Sequence, residues 1–323
     1  MIKPIGGYFE WEFPMKGCSF PHSNGVLLNS GRHSLEYILR SLGQIKRLWI
    51  PYYTCDVVLQ PIEHLGIAYS LYHINKDFTV ADDLVLEDGE YLIYTNYFGL
   101  MDEYCKELST RYDGQLILDY AQAFFTPHLE EINTFYSPRK FVGIPDGGIA
   151  YVNQSLSIKL EIDYSYTRCA HLLKRHELSP MEGYNDFRES SHQIAKSSLL
   201  KMSNLTQKML SSLDYAGIIE RRITNFAFLH AHLSESNLLQ IPCMESFCCP
   251  MIYPYYTKDS GLRKRLIENQ VFVATYWPNV LEWCKEGDLE YELCKNIIPI
   301  PIDQRYVVED MQRIINIIKY KDV

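Results

Sequence analysis

Short apolar runs alternate with amphipathic stretches through the first half of the chain. RLWIPY (47–52), IAYSLYHI (67–74), EYLIYTNYFG (90–99), QLILDYAQA (115–123) and GGIAYVN (147–153) each read as a strand. VVLQPIEHLG (57–66) and YCKELSTRY (104–112) lie between them with apolar residues at helical spacing. Strands separated by helices in this way predict a mostly parallel α/β sheet. Ligands of such sheets bind beyond the carboxyl ends of the strands, so the loops after these runs are where chemistry is expected.

From residue 154 to about 235 the pattern turns polar and helical. A Pro- and Cys-bearing segment, QIPCMESFCCPMIYPYY (240–256), interrupts it. A helix (KDSGLRKRLIENQ), a strand (VFVATYW), the run NIIPIPI and a last helix (VVEDMQRIINIIKY) follow. The chain therefore divides into a large domain, 1–239, which includes the helical segment 154–235, and a small C-terminal α/β domain, 240–323. A length of 323 residues suits such a pair better than one small core.

Composition narrows the function. A net charge of -9 argues against a nucleic-acid surface, since phosphate backbones need clustered Lys and Arg. The opening MIKPIGGYFEWEF has Glu10 and Glu12 where a secretory leader needs an apolar core. No run reaches the roughly 18 apolar residues of a membrane span. The nine cysteines form no CxxC pair, and adjacent Cys248 and Cys249 make poor metal ligands. A soluble cytoplasmic protein with no bound metal is expected.

Three elements carry candidate chemistry. In LILDYAQAF, Asp119 stands at the carboxyl end of an apolar run, where a buried carboxylate needs a partner. A protonated pyridine nitrogen would be one, although a helix cap or a salt bridge would also serve. In TFYSPRKFVGIPDGGIAYVN, Lys140 precedes paired glycines and has Arg139 beside it. Neighbouring positive charge in an enclosed site makes a lysine more nucleophilic. Ser137 is near enough in sequence to share a phosphate site. In NSGRHSLEYILRSLG, a Ser-Gly turn opens an amphipathic helix whose N-terminal amides favour an anion, with Arg32 adding charge.

Taken in order, these elements resemble the DegT/DnrJ/StrS family of nucleotide-sugar aminotransferases, which are fold-type I pyridoxal-phosphate enzymes. SGRHSLEYIL resembles the family's phosphate turn and helix, with Arg32 in place of its usual Thr. RLWIPYYTCDVVLQPIEHLGIAYSLYHI resembles its strand, Pro-x-x-Thr turn and helix. TNYFGLMDE and LILDYAQAF resemble its His-x-Tyr-Gly and Glu-Asp-Ala-Ala-Gln-Ala segments, and TFYSPRKFVGIPDGGIAYVN resembles its lysine and Gly-Glu-Gly-Gly stretch. The resemblance covers roughly residues 25–153, and NIIPIPIDQRYVVEDMQRIINII resembles the family's tail.

The resemblance implies a role for each residue. Lys140 would bond to the aldehyde of pyridoxal 5′-phosphate and later carry a proton between substrate and cofactor. Asp119 would pair with the ring nitrogen, and Gln122 would contact the ring face or its phenolic oxygen. Backbone amides of Gly31, Arg32 and His33, with Ser137, would hold the phosphate; Thr134 is the alternative to Ser137. A residue of PYYTC (51–55) would stack on the ring, either Cys55 by family position or Tyr53 by chemistry. Asn185, in GYNDFRE (183–189), would reach across a homodimer. The implied function is amino transfer from glutamate to a nucleotide-linked keto sugar, feeding surface polysaccharide or a related pathway. The alternatives are a lyase, an aminotransferase acting on something other than a sugar, or a non-catalytic binding protein on the same scaffold.

Overall fold

In a computed structural model, residues 10–14, 20–81 and 83–319 are described. The first nine residues of the stretch read above as lacking a leader lie outside them, as does the final Tyr of the last predicted helix. Among the described residues no helix is long and apolar enough to cross a membrane, and no three metal-ligating side chains gather.

Seven strands form the main sheet: β1 (Val26–Leu28), β2 (Arg47–Pro51), β3 (Tyr69–Tyr72), β4 (Glu90–Thr95), β5 (Leu116–Tyr120), β6 (Asn133–Tyr136) and β7 (Gly148–Tyr151). Their order is β1-β7-β6-β5-β4-β2-β3. Pairing is parallel except where β7 meets β6 and β1, so β7 alone runs against the rest. All five residues of β5 and all four of β6 are buried, as expected for central strands covered on both faces. Helices α1 (Gly31–Leu42), α2 (Leu59–His64) and α3 (Asp102–Arg111) connect or cover this sheet.

The predicted helical stretch holds α4 (Ala170–Glu177), α5 (Pro180–Lys196), α6 (Asn204–Ser211) and α7 (Tyr215–Leu233). Beyond it lie β8 (Ile252–Tyr256), α8 (Leu262–Glu268), α9 (Val280–Trp283), α10 (Leu289–Asn296), β9 (Ile297–Pro301) and α11 (Val308–Lys319). Strands β8 and β9 form a separate antiparallel pair; α7 packs against β8, and α11 packs against α7 and α8. Pro254 faces Pro299, and Pro301 faces Ile252. The three prolines thus fall on alternate rungs of the ladder, where an N–H is not called for. The run VFVATYW forms no strand: residues 271–277 pair with no neighbour. Val271 and Trp277 anchor it to the core while Phe272 is left exposed.

Candidate active site

The carboxyl ends of β4, β5 and β6 converge on one place. Asp119 lies near the end of β5, between Thr95 of β4 and Phe135 of β6. It is only 6% exposed, and one carboxylate oxygen accepts from the Ala121 amide at 2.8 Å. Burial pushes its carboxyl above the ordinary range, and the nearby Lys140 ammonium partly pulls it back.

Lys140 ends a 3₁₀ turn, Pro138–Lys140, that follows β6 directly. Its amide donates to Ser137 O at 3.1 Å. Its side chain is exposed and has no hydrogen bond or ion pair among the described residues. The same ammonium is the positive neighbour of the Cys55 thiol, which burial otherwise pushes up. A free amine therefore faces a buried carboxylate and a half-buried thiol across the strand ends.

Gln122 is 1% exposed. Its Oε1 accepts from the Phe98 amide at 2.8 Å, while its Nε2 has no partner. A buried N–H without an acceptor is costly, and a ligand oxygen would relieve it. The Phe98 amide is presented by a turn with Phe98 at φ 59 and Gly99 at φ 71. A side chain at Gly99 would collide with Gln122 O and Cys249 O, each 2.9 Å from its Cβ, so the chain passes here only as glycine.

The N-terminus of α1 forms the other wall. Ser30 caps it: its Oγ accepts from the His33 amide at 3.3 Å and bonds the His33 ring at 2.8 Å. The His33 amide is thus committed to the cap rather than open to an anion. The His33 ring is buried and also bonds Ser197 O at 3.0 Å; burial lowers its pKa. The helix keeps the Gly31 and Arg32 amides at its open end. Gly31 sits directly against Ser137, whose Cβ would be 3.2 Å from any Cβ built there. The Ser137 hydroxyl is thereby brought to a helix N-terminus, a placement suited to a phosphate. Thr134 lies inside β6, fully buried, and donates to Ile132 O at 3.0 Å, so its hydroxyl is engaged elsewhere. The Arg32 guanidinium reaches Gln60 rather than Ser137, and Gln60 in turn donates to Ala195 O at the end of α5.

Two expected positions fall elsewhere. Tyr53 is wholly buried among Phe78, Tyr97 and Trp277, in the aromatic core beneath the site. Cys55, two residues on, is the one beside Lys140. GYNDFRE lies within α5, and Asn185 is on its exposed side. The chain that does run past the mouth of α1 is 197–202: Asn29 bonds Ser198 O and Leu200 O, and Met202 N reaches Leu27 O.

Sequence reading passed over Asp146, just before the paired glycines. It is fully buried and accepts from the Ser203 amide at 2.9 Å, the Ser203 hydroxyl at 2.8 Å and the Thr206 hydroxyl. Its signal was the Ser-Asn-Leu-Thr start of α6, a capping pattern that also ties down the loop after Lys140.

No family model matches this sequence, and no curated protein matches it. Solved structures do. S. venezuelae DesV, solved in complex with a ketimine intermediate, is 17% identical, with a TM-score of 0.63 over 91% of this chain and 84% of its own. A DegT DnrJ EryC1 StrS aminotransferase from Brucella abortus is 15% identical, with a TM-score of 0.61 over 91% of this chain and 85% of its own. DesI, solved in the presence of its TDP-sugar product, is 13% identical, with a TM-score of 0.63 over 91% of this chain and 79% of its own. The fold is that of the sugar aminotransferases. This likeness spans the large sheet and the C-terminal part alike, well beyond the stretch where the sequence resemblance was readable.

Proposed function

We propose that the chain is a pyridoxal-phosphate-dependent aminotransferase that moves an amino group from glutamate to a keto sugar carried on a nucleotide. The observation that carries this reading is the free amine of Lys140 beside buried Asp119, at adjacent strand ends of a sugar-aminotransferase fold. The TDP-sugar product of DesI, which shares this fold, supports a nucleotide-linked acceptor.

The residues present fit the cofactor. Lys140 Nζ would bond to its aldehyde and, once released, move the proton at the substrate's α carbon. Asp119, kept from solvent, would hold a proton on the ring nitrogen. The unpartnered Nε2 of Gln122 would donate to the phenolic oxygen. The Gly31 and Arg32 amides and the Ser137 hydroxyl would bind the phosphate, and Cys55 would lie against the ring face. When bound, pyridoxal phosphate supplies the electron sink, while the protein supplies orientation and electrostatics.

A homodimer belongs to the same reading. The α4–α5 hairpin exposes Leu178 (65%), Met181 (72%) and Tyr184 (58%), and Tyr166 (73%) is exposed just before α4; large apolar side chains left in water favour a partner. Asn185 stands within it. A cytoplasmic location and a role in surface polysaccharide synthesis complete the proposal.

Borohydride reduction of the protein loaded with pyridoxal phosphate tests it. The label is expected on the peptide containing Lys140, and Lys140→Ala is expected to abolish it. Glutamate should convert the loaded protein to its pyridoxamine form and release 2-oxoglutarate. Label on another lysine, or no conversion with any amino donor, would refute the reading.

A further inference from the structure

Arg222 of α7 is 1% exposed, the largest side chain so deeply buried, yet it belongs to no part of the site described above. Its guanidinium ties three segments to α7. Nη2 donates to Phe141 O at 3.1 Å and Nη1 to Met251 O at 3.0 Å. Nη1 also reaches Pro250 O at 3.5 Å, and Nε donates to Gln304 Oε1 at 3.2 Å. Gln304 Nε2 donates in turn to the same Phe141 oxygen at 2.8 Å, and the guanidinium lies 4.7 Å over the Phe141 ring.

Phe141 is the residue after Lys140. Met251, Arg222's other main partner, donates its amide to Phe98 O at 2.8 Å, and the Phe98 amide donates to Gln122. A continuous hydrogen-bonded path therefore runs from Gln122 through Phe98, Met251 and Arg222 to the carbonyl next to Lys140. It leaves the large sheet and returns to it through the β8 segment. Only a planar fork with donors in several directions can occupy its centre; a lysine offers one compact head.

We infer that Arg222 is a positioning residue for Lys140, fixing the amine's loop in register with Gln122 through the β8–β9 segments. This rests on the aminotransferase reading. Asn225, on the same helix, supplies the control. It is also fully buried and also grips the segment after β9, donating to Ile302 O at 3.1 Å and Tyr306 O at 3.0 Å. It makes no hydrogen bond to the Lys140 loop.

The test compares Arg222→Gln, Arg222→Lys and Asn225→Ala in the full chain loaded with pyridoxal phosphate, with L-glutamate as donor. Arg222→Gln should take up the cofactor and keep its glutamate half-saturation within about threefold, while the rate of spectral conversion falls by roughly 10²-fold, the loss that about 1 Å of misplacement causes. Arg222→Lys should recover part of that rate. Asn225→Ala should lower Tm and leave the rate near wild type. If Arg222→Gln does not fold, Arg222→Lys against Asn225→Ala decides. A second measurement needs no cofactor: the labelling rate of Lys140 by acetic anhydride, relative to exposed Lys285. It should change in the Arg222 variants and hold in Asn225→Ala. Arg222 and Asn225 variants behaving alike in both measurements would overturn the inference. A wild type that ignores glutamate would sink the aminotransferase reading instead, with the labelling comparison still deciding on Arg222.

Discussion

Asp119 is the residue whose cost is plainest. Its native pKa lies above its ordinary value of 3.8 because burial penalises the charge, with the Lys140 ammonium only partly compensating. A carboxyl raised in the folded state binds its proton more tightly there than in the unfolded chain. Stability is then greatest below the unfolded value and falls as pH rises through the native one. Asp119→Asn removes that slope and can still accept from the Ala121 amide. In cofactor-free protein, thermal denaturation should show this variant more stable than wild type near neutral pH, with a flatter Tm as pH rises above about 4. Its uptake of pyridoxal phosphate should be weaker. A wild type that gains stability relative to the variant as pH rises would contradict the account.

At the scale of elements, the entry of α1 is where stability and binding separate. Gly31→Ala should favour the helix by up to about 1 kcal/mol. Its methyl, however, would stand 3.2 Å from Ser137 Cβ and crowd the Ser137 hydroxyl. The expected outcome in equilibrium titrations is an unchanged or raised Tm, weaker binding of pyridoxal phosphate, and unchanged binding of pyridoxal, which lacks the phosphate. Equal losses for both ligands would place the phosphate elsewhere. The elements that could be read from sequence were those with a continuous apolar run closed by a turn, such as β2, β4, β5 and β7. Strand β1 is three residues long, and β6 begins on Asn133 and Thr134, so neither stands out from its surroundings. Strand β8 carries Pro254 at its centre and is intelligible only once β9 supplies an opposing proline. VFVATYW has strand composition without a partner. The placement of Asp119 and Lys140 was legible because it follows from local position at strand ends. Tyr53, Asn185 and Arg222 were not, because what each faces is decided by segments far away in sequence.

For the whole molecule, the exposed hairpin α4–α5 lies beside the site: Leu172 of α4 would be 3.5 Å from a Cβ at Gly143, three residues after Lys140. A partner seated on the hairpin would therefore border the loop after Lys140. Met181→Glu together with Tyr184→Glu places like charges on that face and should convert a dimer to a monomer in size-exclusion chromatography with light scattering. Tm of the isolated subunit should change little, since both side chains are already in water. A wild type that is monomeric at micromolar concentration would rule this interface out.

The double grip on the Phe141 carbonyl also has a consequence for the order of events during synthesis. Gln304 is 163 positions from Phe141, and β9, which carries the chain to it, is made almost as late. A ribosome that has released the whole seven-stranded sheet has therefore not yet delivered Gln304, one of the two groups that hold the Phe141 carbonyl. A nascent chain can settle its scaffold early, but, on the proposed reading, the loop beside Lys140 reaches its final geometry only once translation has passed residue 304.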